Sequence, residues 1–306
     1  MKRRFVVATV SLALAVLAGM AARAGADVIV TGYVESSILR YAEDGTPLQP
    51  IVPPGGLTGV LGPAGITFGP DGNLYVSNQA SVFVSGLPDA IVKIDPSTGS
   101  VTPFITLASG YVPAGLRFGT DGKLYVSRNG GILAGPGTGS VDRYDPTTGA
   151  FLDSVVTNLT QPTSLLFDAS GNLYISSFGD GNVVRFDGTN SGIFIAAASG
   201  RLAGPAGLQF GPDGNLYVVD LLQGAVRRYD PTGKFIGGLI PRGGQLSNQF
   251  PSDLLFDRQG HLLVADLGAK FDSPVGNVKA FDPVTGDYLT DFATSITGAS
   301  QLLLTP

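Results

Sequence analysis

The chain has 306 residues, with 44 Gly, 21 Pro, 14% charged residues and neither Cys nor Trp. That length admits one large domain or two ordinary ones, and a chain without Cys has no disulfides and no thiolate chemistry. A formal charge of −5 argues against nucleic-acid binding, which needs a basic surface.

In chain order, residues 1–26 read as a secretory signal peptide. Lys2, Arg3 and Arg4 precede an apolar run from Phe5 to Ala22, and Ala24 and Ala26 offer small-residue cleavage sites. A retained anchor is the alternative, since the run is near the lower limit for a membrane span. No basic stop-transfer follows, and in "LAGM" Met20 stands where a lipidated Cys would be, so a lipid anchor is not expected. The expected product, residues 27–306, is secreted or periplasmic. It is more acidic than the full chain, because cleavage removes Lys2, Arg3, Arg4 and Arg23 and no acid. No later stretch is long and apolar enough to span a bilayer.

From Asp27 the chain begins a repeat. "PAGITFGPDGNLYVSN" at Pro63 returns as "PAGLRFGTDGKLYVSR" at Pro113, "PTSLLFDASGNLYISS" at Pro162, "PAGLQFGPDGNLYVVD" at Pro205 and "PSDLLFDRQGHLLVAD" at Pro251. The aligned Phe68, Phe118, Phe167, Phe210 and Phe256 are 43 to 50 residues apart. That period signals a repeat architecture, for which the β version is a propeller. Each unit holds four short apolar runs, a to d, joined by Asp-Gly and Asp-Pro turns that close hairpins. Runs a and b are apolar on successive residues, as strands covered on both faces are.

The ends supply the count of blades. "DVIVTG" at Asp27 reads as run b, and "SILRYAEDGTPLQPIV" as runs c and d, with no run a before them. "ASQLLLTP" at Ala299 reads as the missing run a. The expectation is a six-bladed, all-β propeller over 27–306, with one blade closed by strands from both ends.

"PAGLQFGPDGNLYVVD" followed by "GAVRRYDPTGKF" resembles the NHL repeat and is similar to the blades of the senescence-marker-protein/gluconolactonase superfamily. The resemblance spans nearly all of 27–306 and implies the fold; these propellers host lactonases, lyases and binding platforms alike. Gluconolactonase-type propellers hold a divalent cation at the channel mouth, with acidic and amide ligands at the middle position of a P-x-G-like motif. Here those positions are Ala64, Ala114, Thr163, Ala206, Ser252 and Ser300, which do not make a hard-cation site. Asp253, one place later, is the only acid nearby. The resemblance to streptogramin lyases implies a histidine near substrate, but His261, the sole histidine, falls in an a–b turn.

The a–b and c–d turns lie at one end of each meander and are uniform. The b–c and d–a loops lie at the other end and vary, so any site is expected there, near the central channel. Run b ends in Asn78, Arg128, Ser177, Asp220 and Asp266. They read either as a polar rim for a ligand or cation, or as side chains that satisfy loose backbone donors. Arg128 beside Asp220 or Asp266 would hold a carboxylate or pair internally. Arg40, Lys93, Arg143, Arg185 and Arg228 recur in run c as a solvated face, and Tyr75, Tyr125, Tyr174 and Tyr217 read as core.

The leading function is a non-catalytic binding or scaffold module without a cofactor, contacting a protein, peptide or glycan. Asn78, Arg128, Asp220, Asp253 and Asp266 are its candidate binding residues, and Phe83, Phe178, Phe250 and Phe271 its candidate anchors. The alternative is a lactonase-like hydrolase whose divalent cation is held by Asp220, Asp253, Asp266 and Asn78.

Overall fold

Each repeat folds as a meander because its turns satisfy themselves. In the a–b turn of the first full repeat, Asp71 Oδ1 accepts the Asn73 N–H at 3.1 Å and Gly72 takes φ +76°. In the c–d turn, Asp95 Oδ1 accepts the Ser97 N–H at 2.8 Å and Gly99 takes φ +70°. The same chemistry recurs at Asp121, Asp213 and Asp145, which makes one end of the molecule uniform.

The computed structural model describes residues 26–55, 59–108, 110–131, 135–246, 249–268 and 276–306. The signal-type segment, apart from Ala26, and Phe271 lie outside the described residues. The chain opens with β1 (Val28–Gly32) and β2 (Ser37–Tyr41). Blade II is β3 (Pro63–Phe68), β4 (Leu74–Asn78), the one-turn α1 (Ala80–Phe83), β5 (Ala90–Ile94) and β6 (Val101–Thr106). Blade III is β7 (Pro113–Phe118), β8 (Leu124–Arg128), β9 (Gly139–Tyr144) and β10 (Phe151–Leu159). Blade IV is β11 (Pro162–Phe167), β12 (Leu173–Ser177), β13 (Asn182–Phe186) and β14 (Ser191–Ile195). Blade V is β15 (Pro205–Phe210), β16 (Leu216–Asp220), β17 (Ala225–Tyr229) and β18 (Phe235–Ile240). Blade VI is β19 (Pro251–Phe256), β20 (Leu262–Asp266), β21 (Gly276–Phe281) and β22 (Tyr288–Ile296). The last strand, β23 (Ala299–Leu304), pairs antiparallel with β1 and completes blade I in the order β2-β1-β23. Six blades and the two-ended closure are as the sequence predicts.

One element differs. Run d of blade I is not a strand: it meets β2 only through the isolated bridges Ile38–Val52 and Tyr41–Pro47. Pro47, Pro50, Pro53 and Pro54 remove the backbone donors that a fourth strand needs.

The blades join through a repeated aromatic contact. Tyr75, Tyr125, Tyr174 and Tyr217 on the b strands meet Phe118, Phe167, Phe210 and Phe256 on the next blade's a strand edge-to-face, at centroid distances of 5.0, 5.1, 5.3 and 5.0 Å. Each tyrosine hydroxyl also donates to its own turn aspartate, as Tyr75 does to Asp71 at 3.2 Å. At the closing seam both partners change together, and Leu263 packs in one core cluster with Leu304.

Near the axis the a strands approach so closely that side chains must shrink. A Cβ on Gly65 would lie 2.2 Å from the Ala114 carbonyl oxygen, and one on Gly115 2.3 Å from that of Thr163. Gly115→Ala is expected to destabilise by about 1–3 kcal/mol, the usual range for overpacking against backbone. Gly192→Ala, where a Cβ meets nothing within 4 Å, should be nearly neutral. Urea unfolding of the two variants checks this.

Candidate functional site

The a strands of blades II to VI begin with proline and then slip register against their b strands, at Pro63/Ile66, Pro113/Leu116, Pro162/Leu165, Pro205/Leu208 and Pro251/Asp253, and β23, which begins with Ala299, slips against β1 as well. Such an irregularity bends the strand and re-aims side chains. Here it puts the second motif residues, Ala64, Ala114, Thr163, Ala206, Ser252 and Ser300, around the channel mouth, where they help line a cavity of about 590 Å³. The walls rise from the b–c loops: Tyr33 and Val34, Gln79, Val82 and Phe83, Asn129, Leu221 and Leu267. This is the face where the sequence predicts a site.

The candidate residues at the b-strand ends are not on the cavity surface. Asn78 is buried, and its Oδ1 accepts the Leu61 N–H. Asp220 is fully buried and accepts the N–H groups of Ala203 at 3.2 Å and Gly204 at 3.0 Å, while Arg227 Nε donates to it at 2.8 Å. Asp266 Oδ1 accepts the Gly268 N–H at 2.8 Å, and its buried Oδ2 has no hydrogen-bond partner among the described residues. Arg128 lies beside neither Asp220 nor Asp266. Its Nε donates to Ser140 Oγ at 3.1 Å and its guanidinium rests over the Tyr111 ring at 5.9 Å. Ser140 in turn donates to the buried Asp142 at 2.8 Å, as do Tyr111 at 2.7 Å and Ser154 at 2.6 Å. For Asn78, Ser177 and Asp220 the observed role is the second of the two sequence readings, satisfying backbone donors. The donors belong to the d–a loop that precedes the blade.

Asp253 is a staple between blades. Its Oδ2 accepts the Leu302 N–H of blade I at 3.0 Å, and Gln301 does the same one blade on, accepting the Ile66 N–H at 3.2 Å. Burial pushes the Asp253 carboxyl up to about 6, against the lowering influence of its backbone donors and the Arg117 guanidinium. Arg117 itself donates to the Ile66 carbonyl at 2.9 Å. Burial also pushes Asp266 up to about 6, with Gly268 N–H and Lys279 opposing and Asp291 adding to the rise.

The cavity residues stand one place after those chosen from sequence: Gln79 after Asn78, Asn129 after Arg128, Leu221 after Asp220, Leu267 after Asp266. Each b strand ends at the earlier residue of the pair and the chain turns there into the b–c loop, so the next side chain reaches the channel mouth while the strand-end residue stays off the cavity surface. The b strands are buried on successive residues, so their pattern does not mark the following residue as part of a wall. Of the proposed anchors, Phe83 lines the cavity and meets Tyr33 edge-to-face at 5.2 Å. Phe178 is half-buried over Gly204, and Phe250 is also half-buried.

The other sequence assignments also find places. His261 sits in the a–b turn on the uniform face, its Nδ1 3.0 Å from Asp257. The strand-c cations face solvent beside acids: Arg40 pairs with Asp27 at 2.9 Å, Lys93 with Asp71 at 2.6 Å, and Arg143 with Asp153 at 2.5 Å. Exposed pairs of this kind contribute little stability. The channel-mouth ring of methyl and hydroxyl groups does not fit a hard divalent cation, which takes several carboxylate or carbonyl oxygens. Among the described residues no group of three His, Asp or Glu side chains is placed to hold a metal ion. No helix of the described residues is long and apolar enough to cross a membrane.

No family model and no curated protein matches the chain. The fold itself is shared with solved structures. In a nidogen/laminin complex, one chain matches at TM-score 0.66 and 16% identity, over 90% of this chain and all of that one (100%). A gluconolactonase from Xanthomonas campestris matches at TM-score 0.60 and 19% identity, covering 79% of this chain and 80% of that one. A catalytically inactive histidine-to-alanine variant of virginiamycin B lyase from Staphylococcus aureus, solved with quinupristin, matches at TM-score 0.59 and 13% identity, covering 88% and 85%. These likenesses carry the fold, and at that level the resemblance to gluconolactonase-like propellers holds.

The two raised carboxyls set a pH dependence. A carboxyl with a folded pKa near 6 and an unfolded value near 4 binds more protons when folded, so stability falls as pH rises through that window. Asp71, held down to about 2 by its hydrogen bonds and Lys93 against the rise from burial, acts in the opposite sense and only below about pH 4. The melting temperature should therefore be higher at pH 5 than at pH 7.5. Asp253→Asn with Asp266→Asn should flatten that difference.

Proposed function

We propose that the chain is an exported, non-catalytic binding module whose working surface is the b–c/d–a loop face, and whose partner is a protein, peptide or glycan presenting apolar groups. The observation that carries this reading is an apolar surface around the channel mouth. On these loops Val34, Val82, Phe83, Val84, Leu87 and Leu222 are 37%, 52%, 39%, 44%, 42% and 53% exposed. Clustered apolar exposure costs solvation free energy unless a partner covers it. The polar candidates are engaged elsewhere: Asp220 and Asp253 hold backbone and Arg128 holds a serine. Export rests on the charged-then-apolar sequence of residues 1–26.

Two further features favour binding over chemistry. A hydrolase of the lactonase type would gather cation ligands where this chain has Ala64, Ala114 and Ala206. The virginiamycin B lyase variant is inactive with a histidine replaced, whereas His261 here lies on the opposite face from the cavity.

Two experiments test the proposal. Thermal melts after chelation, and then with excess calcium, magnesium, manganese or zinc, should coincide, because only a ligand that binds the native state raises the melting temperature. A shift that Asp266→Ala removes would favour the hydrolase instead. Photo-crosslinking residues placed at Val84 or Leu87 should give adducts of defined mass in the producing cells, and those at Lys123 or Asn215 on the opposite face should not. Adducts from both faces, or from neither, would count against the binding face.

A further inference from the structure

The cavity at the channel mouth is chemically narrower than the face around it. Its volume of about 590 Å³ falls within the range of small-molecule sites and exceeds what a single inserted side chain fills. All six blades contribute to its lining, and among the described residues no Asp, Glu, Lys, Arg or His lines it. A charged ligand entering here would lose its hydration without gaining a counter-charge, which is a strong penalty. An apolar ligand meets no such cost against Tyr33, Val34, Val82, Phe83, Leu221 and Leu267.

The wall is held in place before any ligand arrives. The Tyr33 hydroxyl donates to Gln79 Oε1 at 2.7 Å, and Gln79 Nε2 donates to the Pro113 carbonyl of the next blade at 2.6 Å. Phe83 then packs on Tyr33, and its ring occupies the space where a Cβ on Gly62 would stand. Burial pushes the Tyr33 hydroxyl up to about 12, so this wall stays neutral over the physiological range. A wall ordered in advance lowers the entropy cost of binding. The floor carries hydroxyls from Thr163, Ser164, Ser252 and Ser300. Ser252 Oγ donates to the Ala299 carbonyl at 3.0 Å, which leaves its lone pairs as acceptors.

We propose that this cavity binds a free small molecule that is neutral, largely apolar, two or three rings in size, and carries one hydrogen-bonding end that meets the floor hydroxyls. The proposal rests on the binding-face reading only in taking the loop face as the side that ligands approach. The ring system lies against Tyr33 and Phe83, where edge-to-face contact adds to burial. Sugar acids and phosphorylated ligands are rejected by the uncharged lining.

The probe is a neutral acyl-dimethylaminonaphthalene dye, titrated into the purified protein and compared with anilinonaphthalene sulfonate, an anion of similar ring size. The neutral dye should bind at one saturable site with a blue-shifted emission, and the anion about tenfold more weakly or worse. Ala64→Phe fills the cavity and Phe83→Glu charges its wall; each should weaken the neutral dye about tenfold. Both variants are read beside their melting temperatures, and Phe83→Glu, at a partly exposed position, covers the case in which Ala64→Phe misfolds. Leu87→Arg, outside the lining, should leave dye binding unchanged while removing the crosslinks from a residue placed at Val84. Equal binding of the anion, binding insensitive to both cavity variants, or no binding of the neutral dye overturns the proposal. Dye binding as expected without loop-face crosslinks would overturn the macromolecular partner and leave the cavity ligand standing.

Discussion

The structure depends on one requirement: each blade buries both faces, and only its neighbours can cover them. The Tyr–Phe edge contact between successive blades meets that requirement in the same way four times, from Tyr75–Phe118 to Tyr217–Phe256. The tyrosine hydroxyl then reaches the turn aspartate, so one side chain joins blade packing to turn geometry. Where the ring closes, Leu263 and Leu304 replace both aromatic partners at once. A leucine facing a phenylalanine-sized gap would leave a void, and voids in close-packed interiors are costly. The closing strand β23 is therefore packed against blade VI as well as hydrogen-bonded to β1.

Drawing six blades together also determines what the axis can hold. Close approach of the a strands leaves no room for a Cβ at Gly65, Gly115 or Gly207. The corresponding positions that keep side chains are Ser164, Asp253 and Gln301, and the last two bind the backbone of the following blade. The channel mouth above them is built of methyls and hydroxyls. Its neutrality follows from packing at the axis together with the absence of carboxylates at the second motif position.

Polar residues at the strand ends serve the frame in a similar way. The buried ends of d–a loops leave N–H groups without partners, and Asn78, Ser177 and Asp220 accept them. Burying such donors unpaired would cost more than the hydrogen bonds themselves contribute. Asp220 is also neutralised by Arg227, which reaches on to the Gly200 carbonyl. With these donors satisfied inside, the apolar residues exposed on this face come from the b–c loops: Val34, Val82, Phe83, Val84, Leu87 and Leu222.

The amino-acid sequence by itself determined the architecture: the repeat of phenylalanine and tyrosine, the Asp-Gly turns, and the b–c–d start with its a-type ending specify six blades and their closure. Those signals are local, since turn chemistry and strand alternation act over a few residues. It also placed the variable face and the ring of Ala64, Ala114, Thr163, Ala206, Ser252 and Ser300 at the channel mouth. Only the tertiary structure decided the role of the polar residues. Whether Asp253 faces a ligand or the Leu302 N–H depends on a strand 49 residues away, and whether Arg128 meets Asp220 or Ser140 depends on how blades are set around the ring. Likewise the cavity wall came from Gln79, Leu221 and Leu267, one residue beyond the strand ends of three different blades. Such outcomes rest on contacts between distant segments, which no spacing along the chain encodes.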